Sequence, residues 1–287
     1  MTGERDTDAL VVGAGIGGLA AALALAGRGL AVRIIEAGDS PGGKAGTVEI
    51  DGVRIDTGPS VLTLPEVFAG LFGRVGRRFA DVIELRRLNP GFRYRYADGC
   101  VLEVAHDPDD TLARVRSALG SAAEAELGSF LRYSRRIWDA AAPHFVLGPA
   151  PTWAAMAGLA LRHPRSLLSV DPLRDMAASI DRHVRDPHLR MLLRRYATYN
   201  GSDPRRAPAT LNCIAHVELS LGGYGVLGGI HALVEAMVTA IESHGGVVEC
   251  GVQADRILVR DGRAVGVALV GGGSRLGRAV VVNADTG

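Results

Sequence analysis

Apolar residues crowd into a short run, 9–12, directly behind the polar lead of residues 1–8. A glycine cluster follows, and small apolar residues then recur at helical spacing over about 17–28. A second apolar run occupies 31–36. Short continuous runs bounded by turn residues predict buried strands, so the chain opens as a βαβ unit with a parallel sheet. Asp51-Gly52, Asp98-Gly99 and Asp261-Gly262 each separate two strand-like runs and predict tight hairpins. Pro65 suits the first turn of a helix. The middle of the chain is helical in period, over 107–119, 122–141, 172–184, 187–199 and 209–219. A glycine-rich connector, 221–229, leads to a helix at 230–244 and then to strands at 247–250, 256–259, 264–270 and 280–282.

This order predicts an α/β protein in which a helical domain interrupts a sheet domain. The expected bounds are 1–66 with 220–287 for the sheet domain and 67–219 for the insert. There is no internal repeat. A buried parallel strand ordinarily leads into another element, so an end just after 280–282 predicts that a C-terminal part is missing.

Composition narrows the partners. Hydrophobic residues make up 47% of the 287, enough for a packed core. A formal charge of +1 gives no ground for nucleic-acid binding. Cys100, Cys213 and Cys250 are scattered, so neither a disulfide framework nor a metal site is predicted. The lead into the first strand is too polar for a secretory signal. Residues 140–161 carry no Asp, Glu, Lys or Arg, but Pro143, Pro149 and Pro151 interrupt them. The remaining apolar stretch is too short to span a bilayer. It reads equally as an interfacial helix or a core helix, with Trp153, Met156, Leu159 and Leu161 ahead of Arg162 and Arg165.

Gly13-Ala14-Gly15-Ile16-Gly17-Gly18 fits the G-x-G-x-x-G pattern between a strand and a helix. Gly13 permits the turn, Gly15 admits a pyrophosphate close to the backbone, and Gly18 lets helix and strand pack. The helix N-terminus offers free N–H groups to phosphate. Glu36, at the end of the second strand, can accept the ribose hydroxyls. Nicotinamide and flavin dinucleotides both suit these residues. Ser40-Pro41-Gly42-Gly43-Lys44 adds a glycine pair and a cation, which is also the pattern of an ordinary surface turn.

Three motifs in register, the glycine loop, Glu36 with Gly42-Gly43-Lys44, and Asp56-Thr57-Gly58-Pro59-Ser60, resemble the flavin amine oxidase and carotenoid desaturase superfamily. Residues 183–190 and 195–201, then Gly228-Gly229-Ile230-His231, are similar to bacterial phytoene desaturases, nearest to the hydroxyneurosporene (1-hydroxycarotenoid 3,4-) desaturases. Val226-Leu227 depart from that pattern. Asn283-Ala284-Asp285 matches the family's N-A-D. The resemblance implies a Rossmann-like FAD-binding domain of the glutathione-reductase type with an inserted substrate domain. It implies FAD held by Gly13, Gly15, Ile16, Gly17, Gly18, Glu36, Ala37, Gly42, Gly43, Lys44, Gly58, Pro59 and Ser60, with the backbone of Ala254 at the adenine. The implied activity is dehydrogenation of an acyclic carotenoid. The implied partners are that apolar substrate and a membrane surface, which places the protein in the cytoplasm at the inner face of the membrane. The family extends well past Gly287, so this chain alone is expected to be inactive.

No catalytic acid or base is assigned. His216 and Glu218 read as one helix face with a satisfied histidine, and Tyr196, Tyr199 and Asn200 as packing. Other members of the superfamily, amine oxidases and carotenoid isomerases or saturases, remain alternatives. So do non-catalytic escorts of prenylated proteins, against which Glu36, Gly42, Gly43 and Lys44 speak.

Overall fold

A computed structural model describes residues 7–148, 152 and 169–284. The apolar stretch 153–161, with Arg162 and Arg165, lies outside the described residues, as do Pro149, Pro151 and Asp285. The chain folds as two compact units, Met1–Arg86 with Tyr224–Gly287, and Arg87–Gly223. The expected boundaries at 66 and 219 therefore move to 86 and 223. The reason is packing. Phe72, Val75, Phe79 and Ile83 are buried in the same core as Leu19, Leu23 and Met237 of the first unit.

The first unit is built on a four-stranded parallel sheet. Its order is Ala279–Val282, then β1 (Ala9–Val12), β2 (Val32–Ile35) and Val247–Glu249. Val11 lies between Ile34 and Val281 in register, so the two ends of the chain share one sheet. Numbered by sequence, this is the 3-2-1-4 arrangement of nucleotide-binding sheets, and its crevice falls at the carboxyl end of β1. Helix α1 (Ile16–Ala26) buries Leu19, Ala22, Leu23 and Ala26, one face at i, i+3, i+4, i+7 spacing. Its neighbour is the helix His231–Ser243.

Two aspartate–glycine turns form as expected. Asp51 and Gly52 both have positive φ, 51° and 77°, as do Asp261 and Gly262, 50° and 73°. This is the primed geometry that matches strand twist. The second turn joins Ala254–Arg260 to Arg263–Leu269, and a third strand, Ser274–Leu276, completes an antiparallel sheet. That third strand gives no clear alternation in the sequence.

In the second unit the hairpin Phe92–Arg95 and Val101–Val104 leads into helices Pro108–Leu119 and Ser121–Ala141. Asp107 caps the first of these by accepting from the Asp109 and Asp110 N–H groups, both at 3.0 Å. Leu127, Phe130, Ile137, Met176, Ile180 and Leu193 form the core. The expected helix at 172–184 begins only at Met176, where Asp175 accepts from the Ala178 N–H at 2.7 Å.

The expected helix at 187–199 is α-helical over Pro187–Arg194 and tightens to 3₁₀ over Arg195–Asn200. The expected helix at 209–219 divides into a 3₁₀ turn, Ala209–Asn212, an α turn, Cys213–His216, and a wide π turn, Val217–Leu221. No helix among the described residues is long and apolar enough to cross a membrane.

Candidate cofactor-binding site

A cleft of about 630 Å³ opens at the carboxyl end of β1, within the first unit. Its floor is backbone. Gly13, with φ of 96°, leaves β1, and a Cβ there would stand 2.6 Å from the Asn283 carbonyl oxygen. The second glycine loop closes against the first. The Gly42 N–H donates to the Ala14 carbonyl at 2.8 Å, and a Cβ on Gly43 would meet the Gly15 Cα at 3.3 Å. Side chains are thereby excluded where the two loops meet at the N-terminus of α1, whose first-turn N–H groups have no intrahelical acceptor.

Glu36 closes one end. Its Oε2 accepts from the Ala14 N–H at 2.7 Å and its Oε1 from the Gly38 N–H at 2.9 Å. A carboxylate accepts about four hydrogen bonds, so each oxygen keeps one lone pair for hydroxyl donors in the cleft. Ala37, Ile16, Lys44 and Pro59 line the walls, and Ala254 with Val252 and Gln253 the far side.

Three of the expected residues do other work, and a fourth lies off the cleft. Gly18 is a packing glycine, because a Cβ there would fall 2.0 Å from the Gly13 carbonyl oxygen. Gly17 makes room for the Asn283 side chain, whose Oδ1 would be 2.5 Å from a Cβ. Gly58 lets its strand end pass the Lys44 carbonyl, at 1.8 Å from a would-be Cβ. Ser60 is exposed and does not line the cleft.

The third motif supports the second from beneath. Asp56 accepts from the Ile230 N–H at 3.0 Å and so holds the N-terminus of the helix His231–Ser243. Gly229 is required there, since a Cβ would lie 2.7 Å from Asp56 Oδ1. The His231 ring then reaches the Ala45 carbonyl at 3.0 Å and packs under Gly42. Asn283 and Ala284 were absent from the expected set. Both line the cleft, and the N-A-D match was the signal for them.

These residues fit a flavin adenine dinucleotide at its adenosine diphosphate part. The cleft has a side-chain-free floor for phosphates and a held carboxylate with acceptor capacity to spare for ribose. The architecture and site define a dinucleotide-binding oxidoreductase domain. The chain belongs to the flavin containing amine oxidoreductase family, whose model matches residues 16–287. It is 38% identical over 286 residues to the hydroxyneurosporene desaturase of Rubrivivax gelatinosus, covering 96% of this chain and 53% of that protein. It is 34% identical over 274 residues to the 4,4'-diapolycopene oxygenase of a Methylomonas species, covering 95% and 54%. An oxidoreductase from Methanosarcina mazei shares the fold, with a TM-score of 0.63 at 16% identity over 96% of this chain and 58% of its own. The chain thus spans about half the length of the curated relatives it matches.

The second unit holds a buried acid. Glu218 is fully buried and accepts three hydrogen bonds: Oε1 accepts from Arg195 at 2.7 Å and from the Tyr196 hydroxyl at 2.8 Å, and Oε2 from the Tyr199 hydroxyl. The Arg195 guanidinium lies over the rings of Phe92, Tyr94 and Tyr196 at 4.8–5.6 Å. Burial pushes the Tyr94 hydroxyl up to about 12 and the Tyr196 hydroxyl well above its usual range. The reading of His216 and Glu218 as one helix face is therefore corrected, since His216 ends an α turn and Glu218 lies in the π turn after it. Glu218 is a structural hub, and Tyr196 and Tyr199 are its ligands.

His216 is buried too, and its Nδ1 has no hydrogen-bond partner among the described residues. Its pKa is lowered from 6.5, mainly by burial, with Arg135 adding to this and Asp139 opposing it. His183 is lowered as well, first by burial and then by Arg136, Arg174 and Arg182, against Asp171. A histidine kept neutral by the fold binds its proton more readily when unfolded. Its contribution is complete above the ordinary 6.5 and is lost as pH falls below that value. Thermal melting is expected to fall between about pH 7 and 5, and His183→Gln to flatten that decline. An unchanged slope in His183→Gln would contradict this account.

Proposed function

We propose that the cleft holds FAD and that the full-length protein uses it to desaturate an acyclic carotenoid. The observation that carries the cofactor reading is the closure of the two glycine loops onto one another, with the Glu36 carboxylate held at the same cleft. Similarity to a hydroxyneurosporene desaturase at 38% identity supports the substrate class. Bound FAD supplies the two-electron acceptor for removing hydrogen from an alkyl chain. The chain's own contributions are positional. The α1 N-terminus and the Gly42-Gly43 backbone bind the diphosphate, and Glu36 orients the ribose. The substrate is hydrocarbon, so its binding rests on apolar area, at about 25 cal/mol per Å², and not on a polar triad. The escort reading is disfavoured because both glycine loops and Glu36 are intact around one cleft.

Glu36→Ala is expected to weaken FAD binding by about tenfold to a hundredfold, the worth of hydrogen bonds to a charged acceptor. Flavin fluorescence titration measures it, and an affinity equal to wild type would remove Glu36 from the site. For the reaction, the full-length protein with FAD and an electron acceptor is expected to lengthen the chromophore of a hydroxylated acyclic carotenoid. No lengthening by FAD-loaded protein would refute the substrate class.

We further place the protein at the cytoplasmic face of a membrane, because a substrate this apolar resides in the bilayer. The apolar segment 153–161 is the contact surface in this reading. Flotation with liposomes is expected to weaken in Trp153→Asp/Leu159→Asp; equal flotation of the two proteins contradicts the contact.

A further inference from the structure

Away from the cofactor cleft, the second unit contains a cavity of about 450 Å³ whose charge is one-sided. Tyr133 and Arg136 enter it from the helix Ser121–Ala141, Arg182 and His183 from Met176–His183, and Asp171 and Arg174 from the segment between. Among the described residues the only carboxylate lining it, Asp171, is already engaged. It accepts from the Tyr133 hydroxyl at 2.6 Å and from Arg174 through Nε at 3.0 Å and Nη2 at 2.9 Å. Burial alone would raise the Asp171 carboxyl, but the hydrogen bonds from Arg174 and Tyr133 outweigh this and hold it below the usual range.

Arg174 and Asp171 thus cancel and form a fixed wall. Arg136 and Arg182 remain, and among the described residues neither has a carboxylate within ion-pair distance. The His183 ring, stacked on Tyr133 with centroids 4.6 Å apart, feels all three guanidiniums. Two uncompensated cations facing one cavity repel each other unless an anion lies between them. Guanidinium forks match oxyanions bidentately, and a phosphate offers oxygens to more than one fork where a carboxylate offers two in all.

We propose that this cavity is a phosphoester-anion site, with Arg136 and Arg182 as the ligands and the Asp171–Arg174–Tyr133 group as the scaffold that orients them. The site is separate from the flavin reading and does not depend on it. Two sources carry that chemistry: a lipid headgroup and a free phosphorylated metabolite.

The His183 ring is the reporter. In NMR titrations, with the resonance assigned by His183→Gln, inorganic phosphate is expected to raise the His183 pKa, since an anion offsets the surrounding cations. Arg136→Gln/Arg182→Gln is expected to raise it without phosphate and to weaken phosphate binding by roughly tenfold or more. Both arginines are exposed and have no acid partner among the described residues, so the double variant is expected to melt no lower than wild type. Flotation then identifies the source. Binding to phosphatidylcholine vesicles containing phosphatidylglycerol that is reduced in the double variant assigns a lipid headgroup. A phosphate response in His183 with equal flotation of both proteins assigns a free phosphoester. A His183 pKa that phosphate does not move, in a folded protein, overturns the site.

Discussion

Gly18→Ala is expected to lose flavin binding and more than about 3 kcal/mol of stability, the upper end for overpacking a tight contact. The added Cβ would lie 2.0 Å from the Gly13 carbonyl oxygen, which belongs to the backbone at the end of β1. Neither atom can turn away without moving α1 from the sheet or opening the loop that forms the cleft floor. Gly17→Ala makes the contrast. Its Cβ would meet Asn283 Oδ1 at 2.5 Å, the end of a rotatable side chain. Its loss is expected to be smaller, and Asn283→Ala is expected to restore part of it. Thermal unfolding and flavin fluorescence measure both. A Gly18→Ala protein that melts and binds like wild type would contradict the packing described.

Glu218→Ala is expected to destabilise the protein by about 3 kcal/mol, because it leaves the Arg195 charge and the buried Tyr196 hydroxyl without their acceptor, and the half-exposed Tyr199 hydroxyl without one of its own. The pair itself contributes far less than that. Arg195→Met/Glu218→Met, which removes both charges and keeps volume, is expected to stay close to wild type. Tyr199→Phe removes one donor and is expected to cost about 1 kcal/mol. Urea unfolding of the three variants separates these cases. A Glu218→Ala protein within 1 kcal/mol of wild type, on the scale of an ordinary surface change, would mean that Glu218 is solvated.

The parts of the fold legible in the sequence are those set by short-range rules. The run at β1, the glycines after it and the acid ending β2 specify strand, turn and helix locally, and these elements form within a residue or two of expectation. The Asp51-Gly52 and Asp261-Gly262 turns follow for the same reason, since both need positive φ. The failures share another cause. Glu218 lies 23 residues from Arg195 and looks like any acid on a helix face. It lies in a π turn, Val217–Leu221, which hydrophobic period does not distinguish from α-helix. Phe72 and Phe79 pack into a core completed only by residues beyond 224, so no composition change marks the boundary at 86.

The site was legible to a similar depth. Spacing identified Gly13, Gly15 and Glu36, whose roles are backbone approach and a strand-end carboxylate. It did not separate cofactor-facing glycines from packing glycines. Gly17, Gly18 and Gly58 face, respectively, an asparagine amide, a neighbouring carbonyl and the Lys44 carbonyl. Only three-dimensional neighbours reveal that difference.

Titration of the purified protein with FAD, followed by quenching of flavin fluorescence and repeated in the presence of excess NAD, tests the cleft most directly. The geometry predicts saturation at one FAD per chain, unaffected by NAD and weakened in Glu36→Ala. Folded protein that takes up no FAD, or that loses FAD to NAD, would contradict the account.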